Sequence, residues 1–113
     1  MIRHKYGAKP CQVGAEKYRS GLERDRHQEL LMMQRAGQIA DLRREVPFEL
    51  APGVLIEGEK RKRPAVRYVA DFCWLDLTNN TAVVADAKGM PTPMWRLKKH
   101  LMATIRGIHV REL

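Results

Sequence analysis

The chain is poor in several things at once. Its 113 residues include two cysteines, Cys11 and Cys73, and neither has a second Cys or a His at zinc-finger spacing. That excludes a cysteine-built metal site and suits a reduced, cytoplasmic compartment. No apolar run approaches the ~20 residues that span a bilayer, so no membrane partner is expected. The opening MIRHKYGAKP is basic and lacks the apolar stretch of a secretory signal. There is no internal repeat and no low-complexity tract. Acidic residues are scarce too: 13 Asp and Glu stand against 21 Lys and Arg, a net charge of +8. A small domain this basic attracts polyanions, nucleic acid first, although charge kept for solubility is the competing explanation. The length suits one domain with a modest core.

What is present reads as a short alternation of elements. Residues 1–17 read as an irregular basic arm carrying Arg3, Lys5 and Lys9, and 18–113 as the domain. Ser20-Gly21-Leu22-Glu23 has the S-x-x-E form of a capping box, predicting a helix to Ala36 with Gly37 as its stop. Leu22, Leu30 and Met33 form its apolar stripe, Glu23 lies near the same side, and Met32-Met33 suit the core or a dimer interface. Over Leu42–Leu50 the residues Val46, Phe48 and Leu50 alternate with charge, a strand that Pro47 assigns to a sheet edge or a bulge. Residues 51–64 form a loop ending in the basic run Lys60-Arg61-Lys62-Arg63, a solvated turn or a phosphate contact.

Val66–Leu77 and Ala82–Lys88 read as strands of a β-hairpin around Thr78-Asn79-Asn80-Thr81. Thr92-Pro93 opens a second helix, with Met94, Leu97, Leu101 and Ile105 on its apolar side and Arg96, Lys98, Lys99 and Arg106 on the rest. Gly107 ends it, and Ile108–Arg111 alternates as a last strand. The order α-β-β-β-α-β predicts a small single-domain α/β fold.

The charges on the hairpin then need an explanation. With Asn79-Asn80 as a two-residue turn, Asp71 faces Lys88 and Cys73 faces Asp86, so Asp71, Asp86 and Lys88 share one side of the sheet. Two carboxylates on an otherwise apolar strand pair are costly unless compensated, and one lysine neutralises only one of them. A divalent cation would satisfy the remainder; oxygen ligands favour Mg²⁺, with Mn²⁺ as a substitute. Glu23 could supply a third carboxylate. A plain Asp71–Lys88 ion pair, with Glu23 only closing the capping box on Ser20, remains the structural alternative.

These residues resemble the signature of the PD-(D/E)xK nuclease superfamily: an acid on the first helix (Glu23), an Asp on a central strand (Asp71), and acid-x-Lys on the next (Asp86-Ala87-Lys88). The stretches SGLERDR, YVADF and VVADAKGM are also similar to those of small phage-encoded nucleases in that superfamily, over residues 5–113. The sequence departs from the pattern in having Asp86 for the commoner Glu and Ala70 where the family name expects proline. The resemblance implies an αβββαβ restriction-endonuclease-like core with a mixed central sheet flanked by helices. It implies Mg²⁺ on Asp71, Asp86 and the Ala87 carbonyl, with Glu23 acting through water or on a second ion. Lys88 would orient the attacking water and offset charge on the phosphate.

The expected activity is metal-dependent endodeoxyribonuclease action, with branched DNA such as a Holliday junction as the specific expectation, by a homodimer in the cytoplasm (the host's, if phage-encoded). A non-catalytic DNA-binding accessory protein is the alternative. Lys60–Arg63, Arg96, Lys98, Lys99 and the arm residues Arg3, Lys5 and Lys9 are candidate DNA contacts. Trp74 and Trp95 are assigned to the core ahead of base stacking. His27, one turn beyond Glu23, is a lesser candidate for the metal.

Overall fold

Ser20 starts the first helix as its spacing predicts, in a computed structural model that describes residues 11–13 and 16–113. Its backbone is extended and its side chain accepts a hydrogen bond from the Glu23 N–H at 3.2 Å, a cap worth about 1 kcal/mol. Helix α1 spans Gly21–Arg35, and Gly37 takes a positive φ of 77° just beyond it. Before it, the arm is not wholly irregular: strand β1 (Cys11–Val13) pairs antiparallel with β2 (Glu16–Tyr18). The reason lies in β2, where Tyr18 is buried and Arg44 holds both the Glu16 carboxylate and the Lys17 carbonyl. Arg3, Lys5 and Lys9 lie outside the described residues.

The main sheet has the strand order β3 (Ile39–Ala51), β4 (Val66–Asp76), β5 (Thr81–Asp86), β6 (Arg111–Glu112). β3–β4 and β4–β5 are antiparallel; β6 lies parallel to β5 after a crossover through α2 (Pro93–Leu101) and a five-residue π turn, Met102–Arg106. The sheet is therefore mixed and the fold α/β, with αβββαβ order following the short hairpin. Pro47 sits on the edge strand β3, opposite Val69, where its missing N–H costs no inner ladder bond. The ladder shifts register between Ala40 and Arg43, where Asp41 has φ +56°, so β3 is longer than expected and bulged.

The β4–β5 register differs from the expectation. Cys73 pairs with Val84, not Asp86, and Phe72 with Ala85; continued by one step, the ladder sets Asp71 against Asp86 and not against Lys88. Side-chain hydrogen bonds fix the longer loop. The Asp76 carboxylate accepts from the N–H and hydroxyl of Thr78, and Asn79 Oδ1 from those of Thr81, so four residues separate the strands. A slip of two residues preserves the side each residue occupies, so Asp71 and Asp86 remain neighbours.

Two apolar clusters meet in β4. Phe72 and Trp74 pack with Leu30, Ile39, Val83 and Ala85, whereas Tyr68 and Ala70 pack with Leu50, Val84, Trp95 and Met102. Asp71 lies at the changeover. The second helix turns a different side inward from the one expected. Trp95 and Met102, seven residues apart, are buried, while Met94, Leu97 and Ile105 are more than half exposed. The Trp95 indole N–H, donating to Asp86, sets this rotation. Met32 and Met33 are exposed on α1, which corrects the core reading of that pair.

Candidate active site

Asp86 ends β5 and is fully buried, so its carboxylate needs donors in place of water. It has three. Oδ2 accepts from the Trp95 indole N–H at 2.6 Å and from the Tyr68 hydroxyl, and Oδ1 accepts from the Asp71 backbone N–H at 2.8 Å. The last bond ties the backbone of one acid to the side chain of the other.

Asp71 is 1 % exposed and Glu23 2 %, and the two are bridged by one guanidinium. Arg19 donates through Nη2 to Asp71 Oδ1 and places Nε 3.5 Å from Glu23 Oε2. The other Asp71 oxygen accepts from the Ala87 N–H at 3.0 Å. A second guanidinium, Arg44, holds Glu23 Oε1 at 2.9 Å and Glu16 at 2.6 Å, and stacks over the Tyr18 ring at 4.3 Å. Burial pushes the Asp71 carboxyl above its ordinary range, and Glu23 adds to the rise, against the pull of Arg19, Lys88 and the Ala87 N–H. Burial opposes charge on Arg19 as well, but Asp71 and Glu23 outweigh it and hold the guanidinium above its usual value.

Glu23, Asp71 and Asp86 thus form a linked chain from α1 across β4 to β5. The capping-box alternative for Glu23 holds only in part: its N–H is capped by Ser20, but its carboxylate goes to the two arginines. Lys88 follows β5, half-buried, and its charge is felt at Asp71, though the direct partner of Asp71 is Arg19. Among the described residues, no three His, Cys, Asp or Glu side chains gather closely enough to hold a metal ion together. His27 does not join the acids. Its Nδ1 lies 2.6 Å from the Tyr18 hydroxyl and its ring stacks on Phe72, so it belongs to the core. Cys73 is a half-buried free thiol that burial pushes up to about 11.

Among the candidate DNA contacts, Lys60, Arg61 and Lys62 are exposed, while Arg63 is engaged by Glu59 at 2.7 Å. Lys99 lies over the Trp95 ring at 5.1 Å, and Arg96 and Lys99 line a shallow depression beside Trp95. Trp95 brings this basic helix to the Asp86 end of the site. Four contributors escaped the sequence reading: Arg19, Arg44, Tyr68 and the indole N–H of Trp95. Only Arg44 carried a signal, since it stands in the same alternation phase as Val46, Phe48 and Leu50 and so occupies an inward position of β3.

No curated protein and no solved structure matches the chain. The sequence profile of one family, described as "Protein of unknown function (DUF1064)", matches residues 3–111, and the chain belongs to that family.

Proposed function

We propose that this chain is a metal-dependent endodeoxyribonuclease of the PD-(D/E)xK kind, hydrolysing phosphodiester bonds in branched or duplex DNA. The observation that carries the reading is the burial of Glu23, Asp71 and Asp86 in one linked chain beside Lys88, in a protein of net charge +8. A module that only binds DNA gains nothing from three buried carboxylates beside a phosphate path. Structural ion networks in a core are ordinarily closed from solvent, whereas the cation between Asp71 and Glu23 belongs to a side chain that is 51 % exposed.

The donor set is oxygen alone, which suits Mg²⁺ or Mn²⁺, and the guanidinium between Asp71 and Glu23 marks where positive charge is already accepted. Asp71 and Glu23, the two acids that the Arg19 guanidinium already joins, would hold the ion with the Ala87 carbonyl, and Asp86 would stand behind Asp71. When bound, such an ion lowers the pKa of its water and screens the phosphate. Asp86 orients Asp71 through the Asp71 N–H. Lys88 orients the water and offsets charge developing on the phosphate. Arg96, Lys98 and Lys99 contact neighbouring phosphates. Junction substrates, a homodimer with one site per strand, and action in the cytoplasm belong to the same proposal.

The test is cleavage of linear, supercoiled and four-way-junction DNA in Mg²⁺ or Mn²⁺. Wild type is expected to cut, and Asp71→Asn and Lys88→Ala to lose at least about 100-fold in rate with DNA binding kept. Absence of cutting by wild type with either metal on all three substrates refutes the nuclease and favours the accessory protein. The engagement of both Asp86 oxygens by protein donors is the observation on that side.

A further inference from the structure

The two arginines of the site are built differently. Arg44 is 15 % exposed and spends its terminal nitrogens on Glu16, Glu23 and the Lys17 carbonyl, which fixes it as part of the fold. Arg19 is 51 % exposed, stands in the bend between β2 and α1, and makes its ion pairs with Asp71 and Glu23, with the Glu45 charge acting on it as well. Its flexible stem reaches in from solvent to two acids that are each almost wholly buried.

The formal charges of the site lean negative. Glu16, Glu23, Asp71 and Asp86 face Arg19, Arg44 and Lys88, a surplus of one negative charge with Arg19 in place. With Arg19 withdrawn the surplus rises to two, the charge a dication carries. A guanidinium is moreover weakly hydrated and forms bidentate contacts with phosphate oxygens, so the withdrawn side chain is suited to a new anionic partner at the mouth of the site.

We propose that Arg19 is a removable plug: its guanidinium occupies the cation position between Asp71 and Glu23, and the catalytic dication binds only by displacing it toward solvent. The inference rests on the nuclease reading above, whose metal it regulates. Arg19 therefore lowers metal affinity in the free protein while keeping the empty site stable, since two buried acids without their counter-ion are strongly destabilising. A dication that replaces it neutralises the site.

The full chain and its Arg19→Gln and Arg19→Lys variants are titrated with Mn²⁺ in the absence of DNA, free Mn²⁺ being measured by electron paramagnetic resonance and melting temperature recorded alongside. Arg19→Gln is expected to bind Mn²⁺ about tenfold or more tightly than wild type, the equivalent of one charge-assisted hydrogen bond no longer broken on binding. It is also expected to melt lower without metal and to gain more from Mn²⁺. Arg19→Lys retains the charge without the fork and falls between the two; should the Gln variant not fold, tighter binding by the Lys variant supports the plug and unchanged or weaker binding overturns it. Equal or weaker Mn²⁺ binding by Arg19→Gln, with wild type binding normally, overturns the plug and leaves the nuclease reading standing. No Mn²⁺ binding by any of the three proteins overturns both.

Discussion

Asp86 is fully buried, and the fold answers it with three donors, two from β4 and one from α2, so removing one of them is a direct measure of what the buried acid demands. Tyr68→Phe is the sparest perturbation. It deletes the hydroxyl that donates to Oδ2 and leaves in place the ring packed among Leu50, Val84 and Trp95. The carboxylate keeps the Trp95 indole at 2.6 Å and the Asp71 N–H at 2.8 Å, so it is weakened and not abandoned. A hydrogen bond to a charged group contributes about 2 kcal/mol, and no water is positioned by solvent access to replace it at a residue of 0 % exposure. For a domain of this size that corresponds to a Tm lower by roughly 8 °C. Urea denaturation followed by tryptophan fluorescence measures the change, and an unchanged m-value would confirm that the folded and unfolded states are otherwise the same. Trp95→Phe loses more, because packing goes with the indole N–H. Since both donors meet one oxygen, a double-mutant cycle should give a non-zero coupling. Stability of Tyr68→Phe within about 0.5 kcal/mol of wild type would refute the reasoning, because it would mean that the hydroxyl is no better placed in the protein than in water.

Two further predictions concern titration. The His27 imidazole is held below its usual 6.5 by burial first and by the Arg44 charge second, with Glu16 and Glu23 pulling the other way. A depressed value means that the unfolded chain takes up the proton first; the stabilising contribution is complete above pH 6.5 and is lost as pH falls through the lower folded value. Denaturation at pH 8.0 and 5.5 should show that loss in wild type and a smaller one in His27→Gln, and equal losses would disprove the assignment. Burial raises the Cys73 thiol to about 11, so its thiolate at pH 8 is scarce. Alkylation of Cys73 by iodoacetamide, read by peptide mass spectrometry, should be about 100-fold slower in the native protein than in urea, and similar rates in both would contradict its burial.

The fold was legible wherever a local interaction decided it. Ser20, Gly37 and Thr92-Pro93 mark helix ends through contacts within a few residues, and alternation in β3 and β4 announces strands whichever neighbours they find. The hairpin register was not legible. Asn79-Asn80 has the composition of a two-residue turn, but the Asp76 and Asn79 side chains bind Thr78 and Thr81 and hold a four-residue loop. The error changed the partner of Asp71 from Lys88 to Asp86 but left both acids on one face, because side chains repeat every two residues and a slip of two cannot move an acid to the other side.

The second helix shows the opposite case, in which one polar contact overrides an apolar pattern. Met94, Leu97, Leu101 and Ile105 form the more regular stripe, yet the Trp95 indole N–H answers the buried Asp86, and the resulting rotation leaves Met94, Leu97 and Ile105 in water while Leu101 stays partly packed. The same demand explains the arginines. Once Glu23 and Asp71 are placed inside, something must neutralise them from the surrounding elements, and an inward alternation position filled by Arg44 is where such a group can be read from sequence. Arg19 offers no comparable sign, since it precedes its helix and meets Asp71 only through the tertiary fold. A fixed counter-ion must be housed within an element's own pattern, whereas one that reaches in from a bend at the surface need not be. That difference in housing is the physical basis for assigning the two guanidiniums different roles at the same pair of acids.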